Sequence, residues 1–205
     1  MTNGTASVHY LKRDDRSDLL LTTTISIMRN LGFAATTARR IAAESQSAVG
    51  NINRVFGSLQ ALKQQAFIAI THQVASDCCQ RVSTLPPCDA LLSLLGDPTE
   101  EAQDIQVHLW REVAVLAEQD DALQPVYREA LDVWHRVLCE VIERGEAQGS
   151  LRSADSPSQT AWRLMASALG MDTLVRFSSL HSAAEQARAA MARLIALELF
   201  ATAAA

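Results

Sequence analysis

Residues 31–67 read LGFAATTARRIAAESQSAVGNINRVFGSLQALKQQAF and carry the most informative pattern in the chain. Thr36 or Thr37 can cap a short helix, because a threonine side chain accepts a hydrogen bond from the free amides of a first turn. A second short helix is predicted from about Ala48 to Val55, after a turn rich in serine. Two short helices separated by such a turn have the proportions of a helix-turn-helix, in which the second helix enters the major groove of DNA.

Apolar spacing on both sides of this stretch predicts further helices. A helix from about Arg16 to Leu31 carries apolar residues at three- to four-residue intervals and stops at Gly32. Ser58 can cap a long helix that reaches about Val82. The N-terminal part of the chain is therefore predicted to contain three short helices followed by one long one.

The same helix start and stop signals continue to the end of the chain. Proline, serine and aspartate residues precede apolar-periodic segments, and no segment alternates as a strand does. The predicted later helices are a weak one over 91–95, one that begins at Asp97-Pro98 and includes Trp110 and Leu116, one over 121–148, one over 157–177 and a last one that begins at a capping box of Ser182 and Glu185. These patterns predict an all-α protein of about nine helices.

Charge divides the chain into two parts. Up to Lys63 there are eight basic and four acidic residues, a net charge of +4, whereas the remainder has ten basic and nineteen acidic residues, a net charge of −9. A basic N-terminal part suits contact with phosphate, and an acidic body does not. We predict a frayed N-terminal arm over 1–15, a helix-turn-helix domain over 16–62 and a larger C-terminal domain over 63–205.

Composition excludes several classes of protein. Hydrophobic residues make up 48% and charged residues 20% of the chain, which is the balance of a folded globular protein. The first fifteen residues lack the apolar segment of a signal peptide, and no apolar run reaches the roughly 20 residues of a membrane span. We expect a cytoplasmic protein without membrane contact. Four cysteines, two of them adjacent, are expected to be free thiols.

The stretch quoted above resembles the signature of the tetracycline-repressor (TetR) family of transcriptional regulators. The resemblance follows the order Gly32-Phe33, Thr36-Thr37, Ile41-Ala42, Gly50, Ile52, Phe56, Ser58 and Leu62, and weaker similarity continues in LWREVAVLAEQDDAL, GEAQGSLR and ALGMDTLVRF. It implies a helix-turn-helix head, an effector-binding body, and a homodimer formed by the last two long helices. It also implies a repressor that a small-molecule effector releases from double-stranded operator DNA.

The residues predicted to contact DNA lie on or beside the two short helices. Asparagine can read adenine edges and arginine can read guanine or hold phosphate, while serine and threonine caps expose first-turn amides. The candidates are Thr37, Arg39, Arg40, Ser47, Asn51, Asn53, Arg54 and Lys63. Gln46, Asn53, Val55 and Leu59 stand where the family has glycine, tyrosine, histidine and lysine. Three phosphate-binding side chains are therefore replaced, which implies weaker or less salt-sensitive binding.

Aromatic side chains of the central helices are the candidates for an effector pocket. Drug-sized ligands occupy pockets that have aromatic walls and a few polar groups. The candidates are His108, Trp110, Tyr127, Trp134, Trp162, Met165 and Phe177, although any one of them can instead be an ordinary core residue. The acidic surplus favours a cationic or neutral effector over an anionic one. Small residues on the last two long helices would allow the close helix approach of a dimer interface.

The remaining signals favour no other activity. The five histidines show no metal-ligand spacing, so we expect no metal, and Cys78, Cys79 and Cys88 could form a thiol site but are more typical of small apolar residues. No catalytic or cofactor motif is present, and we expect neither an enzyme nor a cofactor. The main alternative is a helical ligand-binding or adaptor protein that kept the fold and lost operator recognition. An all-α enzyme is a distant third.

Overall fold

The computed structural model describes residues 13–96, 101–179 and 181–200, and within these it contains nine helices and no strand. The helices are α1 (Arg13–Leu31), α2 (Ala38–Glu44), α3 (Gly50–Phe56), α4 (Leu59–Val82), α5 (Pro87–Leu95), α6 (Glu101–Ala117), α7 (Gln124–Ala147), α8 (Pro157–Phe177) and α9 (Ala183–Leu199). An isolated bridge pairs Arg152 with Phe200. The predicted all-α class is confirmed.

The chain divides into two compact units, one up to Ile70 and the other from Thr71 onward. The helix α4 contributes to both units, so the division lies inside a helix, eight residues beyond the predicted domain start at residue 63. α1 begins at Arg13, three residues before the predicted start. The rest of the predicted N-terminal arm, and the predicted helix start at Asp97-Pro98, lie outside the described residues.

A small apolar core holds the N-terminal unit together. Its buried members come from α1, α2, α3 and α4, and they are Leu20, Ile27, Ile41, Ile52 and Leu62. The short helices α2 and α3 each contribute one fully buried isoleucine to it. Because a helix of seven residues is not stable alone in water, these buried contacts fix α2 and α3 in place.

The larger core of the C-terminal unit lies among α5, α7, α8 and α9. It includes Leu91, Leu138, Ile142, Leu164, Met165, Met191, Ile195 and Leu199. Polar contacts add to it at two places. The Arg144 guanidinium donates to the carbonyl oxygen of Ser83 at 3.0 Å, just beyond the end of α4. The amide of Arg152 donates to the carbonyl oxygen of Leu199 at 2.8 Å.

Side chains cap some helices as the sequence predicts and leave others uncapped. Ser156 caps α8 by accepting from the Gln159 amide at 3.3 Å, as its position before Pro157 predicts. The capping box predicted at α9 is not formed. Ser182 is the N-cap residue but makes no side-chain capping bond, and its hydroxyl accepts from the Gln186 side chain at 2.9 Å. α7 also begins later than predicted, at Gln124, after a turn closed by Asp120.

Candidate functional site

The helix α2 carries an exposed basic surface that its N-cap positions. Thr37 has extended backbone angles and its hydroxyl oxygen accepts from the Arg40 amide at 3.4 Å. Arg39 and Arg40 are exposed, and the Arg40 guanidinium also donates to the carbonyl oxygen of Ala35 at 3.3 Å. Two cations therefore project from one end of a short helix whose other side is buried, an arrangement that suits contact with phosphates.

The turn between α2 and α3 has a left-handed residue. Gln46 has a φ of 51°, in the region that glycine adopts at little cost. Ser45 is buried and its hydroxyl donates to the carbonyl oxygen of Ile41 at 2.7 Å. Its oxygen also lies 2.9 Å from the Ser47 hydroxyl oxygen. The turn is thus held by serine side chains while Gln46 keeps the conformation at a cost of roughly 1 kcal/mol.

Ser47 does not cap α3, contrary to the prediction. The helix begins at Gly50, its N-cap residue is Val49, and no side chain makes the capping bond. The Ser47 hydroxyl is instead engaged with Ser45, which draws it back toward the end of α2. The helix begins two residues after the predicted start at about Ala48. At its start, the amides of Asn51 and Ile52 donate to the carbonyl oxygens of Ala48 and Val49, three residues back, as in a turn.

The outward side of α3 is polar. Asn53 and Arg54 are exposed, Asn51 is half-buried, and Ile52 between them is 1% exposed. The Arg54 guanidinium Nη2 donates to Asn51 Oδ1 at 2.9 Å, one turn earlier on the same helix. The apolar residues Val55 and Phe56 pack against the core of the N-terminal unit. α3 therefore presents amide and guanidinium groups to solvent from a firmly buried base.

Lys63 is not a candidate for contact with DNA, and this prediction is corrected. Its residue is only 8% exposed, and its Nζ lies 4.0 Å from the centroid of the Phe33 ring. An ammonium group held over an aromatic face is attracted by the quadrupole of the ring. Lys63 therefore contributes to the packing of the N-terminal unit, with its charge directed at Phe33.

Three of the predicted effector residues form an aromatic cluster between α6 and α7. The Trp110 and Tyr127 ring centroids are 5.6 Å apart with planes at 62°, and the Trp110 and Trp134 centroids are 6.5 Å apart at 72°. Both pairs are edge-to-face, the arrangement that aromatic quadrupoles favour. Burial raises the pKa of the Tyr127 phenol. We call these three residues the aromatic cluster.

The other predicted pocket residues do not line the aromatic cluster. Met165 is 6% exposed and belongs to the main core of the C-terminal unit, against which Trp134 also packs. His108 is exposed, while Trp162 is 57% and Phe177 is 81% exposed. These three side chains face solvent in the single chain, and their assignment to the effector pocket stays a prediction. Trp162 stacks edge-on with His135, at a centroid distance of 6.4 Å.

Sequence reasoning missed a part-buried ion pair beside the aromatic cluster. Arg111 follows Trp110 on α6, and its Nε donates to Asp172 Oδ2 on α8 at 2.6 Å, while its Nη2 donates to the other carboxylate oxygen. The two side chains are 27% and 33% exposed. Asp172 lies in an otherwise apolar stretch of α8, and that isolated charge was the available signal. The pair links two helices that carry candidate effector and dimer residues.

The four cysteines are free, and none forms a metal site. Burial raises the pKa values of Cys79, Cys88 and Cys139, which disfavours the reactive thiolate. Within residues 13–96, 101–179 and 181–200, no three His, Cys, Asp or Glu side chains come together as metal ligands. These cysteines behave as the small apolar residues that the sequence favoured.

The C-terminal unit matches a family model. Residues 89–199, more than half of the chain, match the model described as the C-terminal domain of BetI-type transcriptional repressors. The chain belongs to the TetR family of transcriptional regulators. The resemblance predicted from residues 31–67 is thus confirmed by an independent part of the molecule.

Solved structures of TetR-family and other transcriptional regulators share this fold. The TetR-family regulator of Cytophaga hutchinsonii has a TM-score of 0.75 at 18% identity over 93% of this chain and 98% of its own. A regulator from Saccharomonospora viridis, solved in complex with choline, has a TM-score of 0.70 at 18% identity over 91% and 98%. FadR from Bacillus subtilis, in complex with stearoyl-CoA, has a TM-score of 0.63 at 12% identity over 87% and 97%. A search of curated sequences finds no match.

No helix in the described part of the TetR-family chain combines the length and the apolar character needed to cross a bilayer.

Proposed function

We propose that this TetR-family regulator is a homodimeric repressor that binds a two-fold operator through α3 and is released by a small-molecule effector. The observation that carries the proposal is the outward side of α3. Asn53 and Arg54 are exposed and Asn51 is half-buried, on a helix whose Ile52 is fully buried. Residues of these types hydrogen-bond base edges in a major groove.

Phosphate contacts would come from α2. Arg39 and Arg40 are exposed next to the Thr37 cap, and the N-terminal part of the chain up to residue 63 carries a net charge of +4. Each cation that neutralises a phosphate releases counterions, so binding weakens as salt rises. Because Asn53, Val55 and Leu59 replace the usual phosphate-binding residues, we expect a shallower salt dependence than the family pattern implies.

A dimer would use α8 and α9, which retain large apolar side chains on their surfaces. The side chains that are each 46% to 81% exposed are Trp162, Leu169, Leu174 and Phe177 of α8, Leu197 of α9, and Phe200 just after α9. An apolar surface of this kind on a folded chain marks an interaction site. A second copy would bury these side chains and place two copies of α3 at successive half-sites about 34 to 36 Å apart.

The effector would bind at the aromatic cluster. Trp110 and Trp134 are half-buried rather than fully enclosed, and both are indole rings that attract cations. The Saccharomonospora viridis regulator was solved with choline, a quaternary ammonium compound. We therefore expect a cationic or neutral effector and choose choline as the first probe. Release requires the effector to favour the non-binding form by a few kcal/mol.

A mobility-shift assay on the DNA upstream of the chain's own gene tests the proposal. We expect a specific shift that weakens with salt and that effector reverses. A shift that choline reverses in the wild type, but not in Trp110→Ala, supports the aromatic cluster. The absence of a specific, salt-dependent shift, with or without ligand, would favour the alternative of a ligand-binding protein that has lost operator recognition.

A further inference from the structure

The side chains of Asn51 and Arg54 are coupled before any DNA is bound. They lie three residues apart on α3, and the Arg54 Nη2 donates to the Asn51 Oδ1 at 2.9 Å. Side chains at this spacing lie above one another on one side of a helix. Ile52 of the same helix is buried in the core of the N-terminal unit. A rotation of α3 that moved Asn51 and Arg54 away from solvent would therefore expose Ile52.

This hydrogen bond fixes the direction in which both side chains point. One lone pair of the Asn51 oxygen accepts from Arg54, and the other remains free. The bond uses one of the five N–H donors of the Arg54 guanidinium, so the group keeps enough donors for a bidentate contact with a base.

A guanidinium held at one position offers only donors, which matches guanine and opposes adenine. Guanine presents two acceptors, N7 and O6, in the major groove, whereas adenine presents one acceptor and the N6 donor. We propose that Asn51 is a positioning residue that holds Arg54 so that the pair selects guanine over adenine. This inference rests on the proposed function, because it assumes that α3 enters a major groove.

Positioning by Asn51 also lowers the entropic cost of binding. A free arginine loses rotamer freedom when it engages a base, and a guanidinium already held in place loses less. The loss of Asn51 therefore affects how well Arg54 discriminates, even though Asn51 need not touch the base that Arg54 reads. A direct reading role for Asn51 would instead affect an adenine position of its own.

Selection of bound sequences from random double-stranded DNA by the full-length wild type gives the operator. Single guanine-to-adenine changes in that operator are then measured by titration with the wild type, Asn51→Ala, Asn51→Asp, Arg54→Lys and the double variant Asn51→Ala/Arg54→Lys. Asn30→Ala is the matched control, because it removes an exposed amide from α1, outside the residues proposed to contact DNA. Circular dichroism checks that each variant is folded.

The wild type should prefer guanine to adenine by about tenfold or more at one position of each half-site, which corresponds to one good bidentate contact. Asn51→Ala and Arg54→Lys should each reduce that preference to about twofold, and the double variant should lose no more than Arg54→Lys alone. Asn51→Asp keeps an acceptor for Arg54, so it should retain the guanine preference. The dependence of affinity on salt should stay the same in Asn51→Ala, since no charge is removed.

Three outcomes would overturn the inference. They are additive losses in the double variant, a loss in Asn51→Ala confined to a position where the wild type prefers adenine, and an equal loss of the guanine preference in Asn30→Ala. If the wild type enriches no sequence, the proposed operator binding itself is wrong, and the base preference is wrong with it.

Discussion

The two units differ in how far apart along the chain their interacting polar and aromatic residues lie. In the N-terminal unit, Asn51 and Arg54 are three residues apart, on the same short helix as the buried Ile52. In the C-terminal unit, the Arg111–Asp172 pair spans 61 residues and joins α6 to α8. Surface chemistry in the first unit follows from local helix geometry, whereas in the second it depends on how distant helices pack.

The largest expected effect tests the packing of the C-terminal unit at Gly145. A Cβ added there would lie 3.0 Å from the Cβ of Leu151, a buried residue whose amide also donates to the Gly145 carbonyl oxygen. We expect Gly145→Ala to lower the free energy of unfolding by about 1–3 kcal/mol, because the backbone after α7 must shift. Urea denaturation followed by tryptophan fluorescence reports this unit, since Trp110, Trp134 and Trp162 all lie in it.

The matched control for that change is in the other unit. A Cβ added at Gly50 meets nothing within 4 Å, and Gly50 is the first residue of α3. Gly50→Ala should leave the fluorescence transition of the C-terminal unit unchanged. It should raise the free energy of unfolding of the N-terminal unit by a few tenths of a kcal/mol. Equal stabilities for the two alanine variants would contradict the account of tight packing at Gly145.

The next effect concerns the long-range ion pair. Arg111→Met leaves the part-buried Asp172 carboxylate without its guanidinium partner, and we expect a loss of about 1–3 kcal/mol in the free energy of unfolding. The double variant Arg111→Met/Asp172→Leu should recover most of that loss, because no uncompensated charge remains. A double variant as unstable as the single one would show that the pair does not act as a unit.

A smaller effect of opposite sign is expected in the N-terminal unit. Gln46→Gly removes the side-chain strain at a φ of 51° and should raise the stability of this unit by about 1 kcal/mol. Circular dichroism monitors the change, since this unit has no tryptophan. Glu44→Gly, within α2, is the control and should destabilise by about 0.5–1 kcal/mol. A destabilised Gln46→Gly would mean that the glutamine side chain itself holds the turn.

The smallest effect is the ionisation of Tyr127. Desolvation raises its folded-state pKa above the ordinary value near 10, so the folded state favours the neutral phenol. This contribution to stability is fully present below pH 10 and is lost as the pH rises through the raised value. In the Tyr10→Phe variant Tyr127 is the only tyrosine, and its absorbance titration should lie above that of free tyrosine. A midpoint at or below 10 would show that the aromatic cluster is open to water.

The same contrast between units explains which features the sequence predicted. The order of the helices and a cap on α2 at Thr36 or Thr37 follow from neighbouring residues, and both were predicted. The left-handed conformation of Gln46 occurs where the family has glycine. The error at Ser47 arose because its hydroxyl pairs with the neighbouring Ser45. The error at Lys63 arose because its side chain packs over the ring of Phe33, which is distant in the sequence. No spacing rule distinguishes an exposed lysine near a helix start from one that folds back onto an aromatic ring.

In the C-terminal unit, periodicity identified the aromatic residues but not their grouping. Trp110, Tyr127 and Trp134 come together because α6 and α7 are adjacent, whereas Trp162 and Phe177 lie on the surface of α8. Which side of α8 faces the core depends on the packing of α5, α7 and α9, and a single sequence does not encode that choice locally. The Arg111–Asp172 pair escaped prediction for the same reason.

The continuity of α4 constrains how this protein could be recombined with its relatives. The helix runs for 24 residues without interruption, and the boundary between the units falls between Ile70 and Thr71 inside it. A chimaera that joins the C-terminal unit of this chain to the N-terminal unit of a relative must therefore be spliced within a helix. Each residue added or removed at the junction turns one half relative to the other by about 100° and moves it by about 1.5 Å. Functional hybrids should occur only when the length of the spliced helix keeps the original rotation of one unit about the helix axis. The set of tolerated lengths would measure how rigidly α4 joins the two units.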